Sequence, residues 1–159
     1  MREIAGDICS AKILELADAI CVTTNGVVKG SKRAVMGAGC AKDMNEKFEG
    51  LDYELGEAIL KNGHITQIIS TRVIVFKKFK KSIFIVSFPT KHVYWEKSDL
   101  VLIETSTQQL VELAGGNPQW KRIILPRPGC QHGRLDWTID VKPLLKEHLD
   151  DKFYIISRG

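Results

Sequence analysis

The sequence predicts an α/β protein of three layers, with helices on both faces of a mixed central sheet. Three observations carry this. Short apolar, β-branched runs alternate along the chain with segments of helical period. A lysine-rich turn joins two of those runs closely enough to form a hairpin, so one strand must be antiparallel. Two glycine-bearing loops each follow a strand and precede a helix, at the rim where open α/β sheets hold ligands.

Glu3-Ile-Ala5 opens the chain as a short strand, and Gly6-Asp7-Ile8 turns out of it, with Asp7 able to cap the turn. Ala11 to Ala17 is too short to assign. Ala19 to Thr24 is nearly continuous in apolar and β-branched residues, the signature of a buried parallel strand. Asn25 at its end can turn the chain or reach a ligand. Gly26 to Arg33 is polar and basic and reads as a mobile loop beside the site. Met36-Gly-Ala-Gly-Cys-Ala41 leads into a helix with Cys40, Met44 and Phe48 on one face. A second helix turns Leu51, Leu55, Ala58 and Ile59 inward and stops at Gly63.

From Ile65 the pattern becomes strands: Gln67–Ile69, Val73–Phe76 and Ser82–Val86. Lys77-Lys-Phe-Lys-Lys81 joins the last two, as a solvated turn that protects a sheet edge or as a phosphate contact on a nucleic acid. Pro89 in Phe88-Pro-Thr-Lys91 stops the ladder and leaves Lys91 at the C-terminal rim. His92, Tyr94 and Trp95 follow, walling a pocket or merely packing. Ser98 and Asp99 start a long helix with Leu102, Ile103, Leu110, Val111 and Leu113 as core candidates, broken by Gly115-Gly-Asn-Pro118. Arg122 to Leu125 is a buried strand that feeds the second loop, Pro126 to Trp137. Asp140 can cap a helix of Val141, Leu144, Leu145 and Leu149, with Pro143 in its first turn, and Asp136 in Leu135-Asp-Trp137 reads as capping and packing rather than as a base. Phe153 to Ile156 closes the chain as a strand.

The 159 residues suit one domain, 1–159, with one sizeable core. A composition of 44% hydrophobic and 26% charged residues excludes a disordered tail. A net charge of +4 favours an anionic ligand but is too small to announce nucleic acid by itself. Cys9, Cys21, Cys40 and Cys130 have neither metal-ligand spacing nor a disulfide framework, so packing is their expected role. No signal-peptide pattern and no membrane-length apolar run occurs, which fits a reducing, cytoplasmic setting and no membrane partner. The four histidines lack ligand spacing and no acidic pair suits magnesium, so neither metal nor cofactor is expected. No signature of an oligomeric state is present.

Bare N–H groups at a strand–loop–helix junction point outward, and the helix dipole favours an anion there. Two such junctions can grip two phosphates, or one diphosphate from both sides. The motifs involved are Gly6-Asp7-Ile8, Thr24-Asn25, Met36 to Ala41, Phe88 to Lys91, and Pro126 to Cys130 through Leu135-Asp-Trp137. In order and over nearly the whole chain, they resemble the macrodomain family. The likeness is greatest to the branch of the terminal ADP-ribose protein glycohydrolase and the DNA ADP-ribosyl glycohydrolase antitoxins. That resemblance implies an ADP-ribose ligand, free or attached to a macromolecule such as DNA. It implies that Asp7 accepts from the adenine amino group, that Ile8 contacts the ligand and that Asn25 bonds the distal ribose. It further implies ligand contacts from Met36, Gly37, Ala38, Gly39, Thr90, Pro128, Gly129, Cys130, Gln131, His132, Gly133, Arg134 and Leu135.

Lys91 is the candidate catalytic residue. As a neutral amine it can attack the anomeric carbon of the distal ribose; as a cation it can stabilise a leaving group. One hydrolase branch uses an Asp after the first glycine loop, where this chain has Ala41. The terminal glycohydrolase pairs its lysine with an Asp in the second loop, matched here by Gly133. The DNA-directed antitoxins keep the lysine without that Asp, and Phe-Pro-Thr-Lys91 resembles their version. The expected function is an ADP-ribosyl hydrolase acting on DNA or protein. The alternatives are a non-catalytic ADP-ribose reader and an ADP-ribose 1″-phosphate phosphatase.

Overall fold

A computed structural model describes residues 1–158. Its strands are β1 (Arg2–Ala5), β2 (Ala19–Thr24), β3 (Gln67–Val75), β4 (Lys80–Pro89), β5 (Ile123–Pro126) and β6 (Phe153–Ser157). The helices are α1 (Ala11–Leu16), α2 (Gly39–Lys47), α3 (Leu51–Asn62), α4 (Leu100–Gly115) and α5 (Lys142–Lys146), the last preceded by a π-helical turn at Trp137–Val141. The six strands form one sheet in the order β1-β6-β5-β2-β4-β3. Every pairing is parallel except β3 with β4, the lysine-turned hairpin.

Strand alternation divides the core into two layers, because successive side chains point to opposite faces. Ile20 and Val22 of β2, Ile83 and Ile85 of β4, and Ile156 of β6 pack with Leu14 of α1, Met44 of α2 and Leu55 of α3. Cys21, Val86, Phe88, Leu125 and Ile155 face the other way, onto Ile103 and Leu110 of α4 and Leu145 of α5. The sheet is therefore covered on both sides, as an almost wholly parallel sheet requires. This is the three-layer α/β/α architecture that the sequence predicts.

Four expectations need correction. The runs Gln67–Ile69 and Val73–Phe76 are not separate strands. Thr71 and Arg72 continue the ladder opposite Phe84 and Ile83, and only a register irregularity between Ile68 and Ser70 marks the join. Gly26–Arg33 is pinned rather than loose. Val28 pairs with Ala34, the Arg33 guanidinium lies 2.8 Å from the Asp52 carboxylate, and the chain passes so close to α3 that Gly56 has no room for a Cβ. Val111 is exposed, and the buried stripe of α4 instead runs through Ile103, Ser106, Thr107, Leu110 and Ala114. The cap of the last helical segment is Asp136, whose carboxylate accepts from the Ile139 amide at 2.7 Å. Asp140 answers by accepting from the Asp136 amide at 2.9 Å, a reciprocal cap like a capping box.

Parallel pairing places the C-terminal ends of β2, β4, β5 and β6 along one rim, with Thr24 beside Pro89 and Pro126 beside Ile156. Loops leaving these four ends surround one cleft. No helix among the described residues is long and apolar enough to cross a membrane.

Candidate functional site

The cleft at this rim has a volume of about 1290 Å³. All the candidate residues line it except Asp7 and Pro128. Pro128, within the second loop, is buried. Asp7 is half exposed at the margin, between the lining residues Gly6 and Ile8. Its carboxylate accepts from the Cys9 amide at 2.9 Å and lies 3.9 Å from the Arg158 guanidinium.

Asn25 is engaged within the chain. Its side-chain amide donates to the Val35 carbonyl at 3.1 Å, while its oxygen accepts from the Val27 amide at 3.0 Å. Those bonds tie the end of β2 to the start of the first glycine loop. Met36 is buried, whereas Gly37 and Ala38 are exposed. A Cβ at Gly37 would meet nothing within 4 Å. Gly39, at φ +58°, begins α2, and Ala38 before it supplies no side-chain cap. The first-turn N–H groups of α2 therefore lack intrahelical partners. No acidic side chain stands in that turn to oppose an incoming anion.

The second loop is built differently. Gly129 has φ +77°, and a Cβ there would sit 2.9 Å from Ile103 Cδ1 and Leu135 Cδ1. A Cβ at Gly133 would lie 2.0 Å from the Ser98 hydroxyl oxygen and 2.5 Å from the Gly129 carbonyl. Both glycines are thus packing requirements as well as cleft lining. The Ser98 amide donates to the Gly133 carbonyl at 3.0 Å, locking this loop onto the start of α4. Gln131, His132 and Arg134 project from it, exposed. His132 reaches the first loop, its Cδ2 being 3.2 Å from where a Gly39 Cβ would stand. The two loops therefore meet across the cleft.

Lys91 lies at their junction. Its backbone and that of Thr90 are fixed to β2, both amides donating to the Thr24 carbonyl at 3.4 and 3.0 Å. Its ammonium donates to the His132 carbonyl at 3.2 Å and the Tyr94 carbonyl at 3.4 Å. Burial, and then the nearby Arg134 guanidinium, lower the lysine below its ordinary pKa. Among the described residues no carboxylate pairs with it. A side chain at position 133 would also run into the Gly129 backbone, so an aspartate there would force the loop to shift.

Behind Lys91, His64 Nε2 shares a 2.9 Å hydrogen bond with the Thr24 hydroxyl. Burial, with a smaller contribution from His92, lowers the His64 pKa to about 4, so the ring is neutral at pH 7. Burial pushes the Cys130 thiol up to about 11 and the Cys40 thiol up to about 12, so neither is a nucleophilic thiolate at neutral pH. Tyr94 and Trp95 do wall the cleft. Arg158, Asp43 and Ser98 line it too, though sequence reasoning did not select them. The available signal for Arg158 was position alone: it follows β6 as Asn25 follows β2.

No family model matches the chain, and no curated protein matches it in sequence. Solved structures do match in shape. The macrodomain of Mycobacterium tuberculosis DarG aligns with a TM-score of 0.71 at 21% identity, over 99% of this chain and 97% of that one. The macrodomain of Thermus aquaticus DarG gives 0.68 at 24% identity, over 99% and 97%. Thermosipho africanus DarTG, solved in complex with ADP-ribose, gives 0.70 at 21% identity, over 98% of this chain and 41% of that longer one. With its mixed six-stranded sheet between two helical layers and one cleft at the parallel strand ends, the chain has the macrodomain fold.

Proposed function

We propose that this chain binds ADP-ribose across its two glycine loops and hydrolyses it from a modified macromolecule, with Lys91 acting at the distal ribose. The observation that carries this is the setting of Lys91. A lysine held by two carbonyls at the meeting point of both loops, with a lowered pKa, is suited to nucleophilic work. Its amine would bond to the anomeric carbon as the acceptor leaves with the bonding electron pair and takes up a proton. Water would then release the sugar and regenerate the lysine. The uncapped start of α2 suits the diphosphate. DNA is the favoured acceptor, because Phe-Pro-Thr-Lys91 resembles the motif of the DNA-directed antitoxins and position 133 of the second loop is glycine rather than aspartate.

A reader module without turnover is the second reading, favoured by the absence of a carboxylate beside Lys91. Release of ADP-ribose from modified single-stranded DNA, and from protein modified on acidic side chains, separates the two. Turnover on DNA supports the hydrolase acting on nucleic acid. Turnover on protein alone moves the acceptor, and binding without turnover on either substrate leaves the reader.

A further inference from the structure

We propose that Tyr94 and Trp95 form a stacking subsite for a nucleobase of single-stranded nucleic acid, next to the unit that carries ADP-ribose. The subsite rests on the hydrolase reading for its place beside the modified unit; its affinity for a strand does not depend on turnover. Tyr94 is 52% exposed and Trp95 66% exposed, and both line the cleft. Leaving so much ring surface in water forgoes the burial that usually fixes large aromatic residues. Their rings meet edge to face with centroids 4.8 Å apart, an arrangement that keeps ring faces open. Other aromatic groups in the chain are already occupied. Trp120 is buried against Phe84, Phe76 stacks on Phe79, and the Arg127 guanidinium lies over Trp137 at 4.9 Å.

Position ties the pair to the reaction. The Tyr94 carbonyl accepts from the Lys91 ammonium, so the aromatic loop is anchored to the group proposed to act on the anomeric carbon. The charge around the rings fits a polyanion. Lys91 and Arg134 line the same cleft, Lys97 is exposed in the same loop, and none has a carboxylate partner among the described residues. Opposing them are Glu96 and Asp99 in the loop, Asp99 being hydrogen-bonded to His92 at 2.9 Å, and Asp43, paired with Arg158 at 2.6 Å, and Asp136 in the cleft lining. Open π-faces beside cations are how proteins hold single strands without reading their sequence.

The test measures binding of an unmodified single-stranded oligonucleotide, its duplex, an ADP-ribosylated peptide and free ADP-ribose to the wild type and to Tyr94→Ala, Trp95→Ala and Trp95→Phe. Both residues are exposed, so a thermal melt should show the variants folded. Each alanine substitution should weaken single-strand binding about tenfold, the effect of losing one stacked base. Trp95→Phe should keep most of the affinity, and the single strand should bind more tightly than the duplex. Equal losses for the strand and for ADP-ribose would overturn the subsite by assigning the rings to the ADP-ribose pocket. Unchanged strand affinity in both alanine variants, or no strand binding by the wild type, would overturn it as well. Greater sensitivity of an ADP-ribosylated peptide than of the oligonucleotide would replace the strand with a polypeptide. Since no turnover enters these measurements, a catalytically silent chain leaves the result readable.

Discussion

The two strand–loop–helix junctions look alike in sequence and differ in construction. The first, from β2 to α2, ends on a helix without a cap, next to a glycine with open space around it. The second, from β5 towards α5, caps its own helical turn through Asp136 and Asp140. Its glycines are packed against Ser98, Ile103 and Leu135. Glu3 fastens it from outside, accepting from Trp137 Nε1 at 3.1 Å and lying 2.7 Å from the Lys142 ammonium. A glycine-rich junction can thus be left open, as an anion cradle requires, or be packed as a rigid wall. What separates the two is whether a side chain has already taken the helix N-terminus. Lys91 stands where cradle and wall meet.

The largest effect should come from that meeting point. Lys91→Ala should bind ADP-ribose within about tenfold of wild type, or ~1.4 kcal/mol, yet release none from a modified substrate. A nucleophile contributes chiefly to the transition state. Calorimetry paired with a release assay checks both halves, and full turnover in the variant would remove Lys91 from the mechanism.

Next in size is the contrast between the glycines. Gly37→Leu should leave the melting temperature nearly unchanged and abolish ADP-ribose binding, since its side chain enters open space at the cradle. Gly129→Leu should instead destabilise the fold by roughly 2–4 kcal/mol, through a left-handed backbone and a crowded core. Equal melting temperatures for these two variants would erase the distinction between cradle and wall.

A pH titration probes the support of the first junction. His64 has an ordinary pKa near 6.5 when unfolded, lowered to about 4 in the fold. The unfolded chain therefore binds the extra proton first. This contribution to stability is complete above about pH 6.5 and is lost as the pH falls towards 4. Denaturant midpoints across this window should drop more steeply for the wild type than for His64→Gln, and parallel curves would remove His64 from the account.

The smallest effects should be of opposite sign at the two helix starts. Asp136→Ala should lower stability by about 1 kcal/mol through loss of a cap. Ala38→Asp should raise it by a few tenths to about 1 kcal/mol while weakening ADP-ribose binding by charge repulsion. Tighter ADP-ribose binding in Ala38→Asp would show that α2 does not face the phosphates.

Local pattern was enough for most of the elements. Short apolar, β-branched runs such as Ile20–Val22 and Ile83–Ile85 and the stripe Cys40, Met44, Phe48 depend on neighbours in the chain, so they can be read from it. The same holds for Pro89 ending β4 and Gly63 ending α3. Order along the chain also located both loops and Lys91. Contacts between distant segments could not be read this way. Which aspartate caps the last turn was decided by the backbone path after Leu135. Gly26–Arg33 gave no sign that Gly56, on another helix, would hold it close. Arg158 lies 115 positions from Asp43 and pairs with it at 2.6 Å only because β6 ends beside that rim. The sequence by itself determined the layers, the strand ends and the residues offered at them, because periodicity and turn chemistry are local. Tertiary structure alone decided which glycine loop stays open, because only packing shows whether a helix start is capped and whether a Cβ would have room.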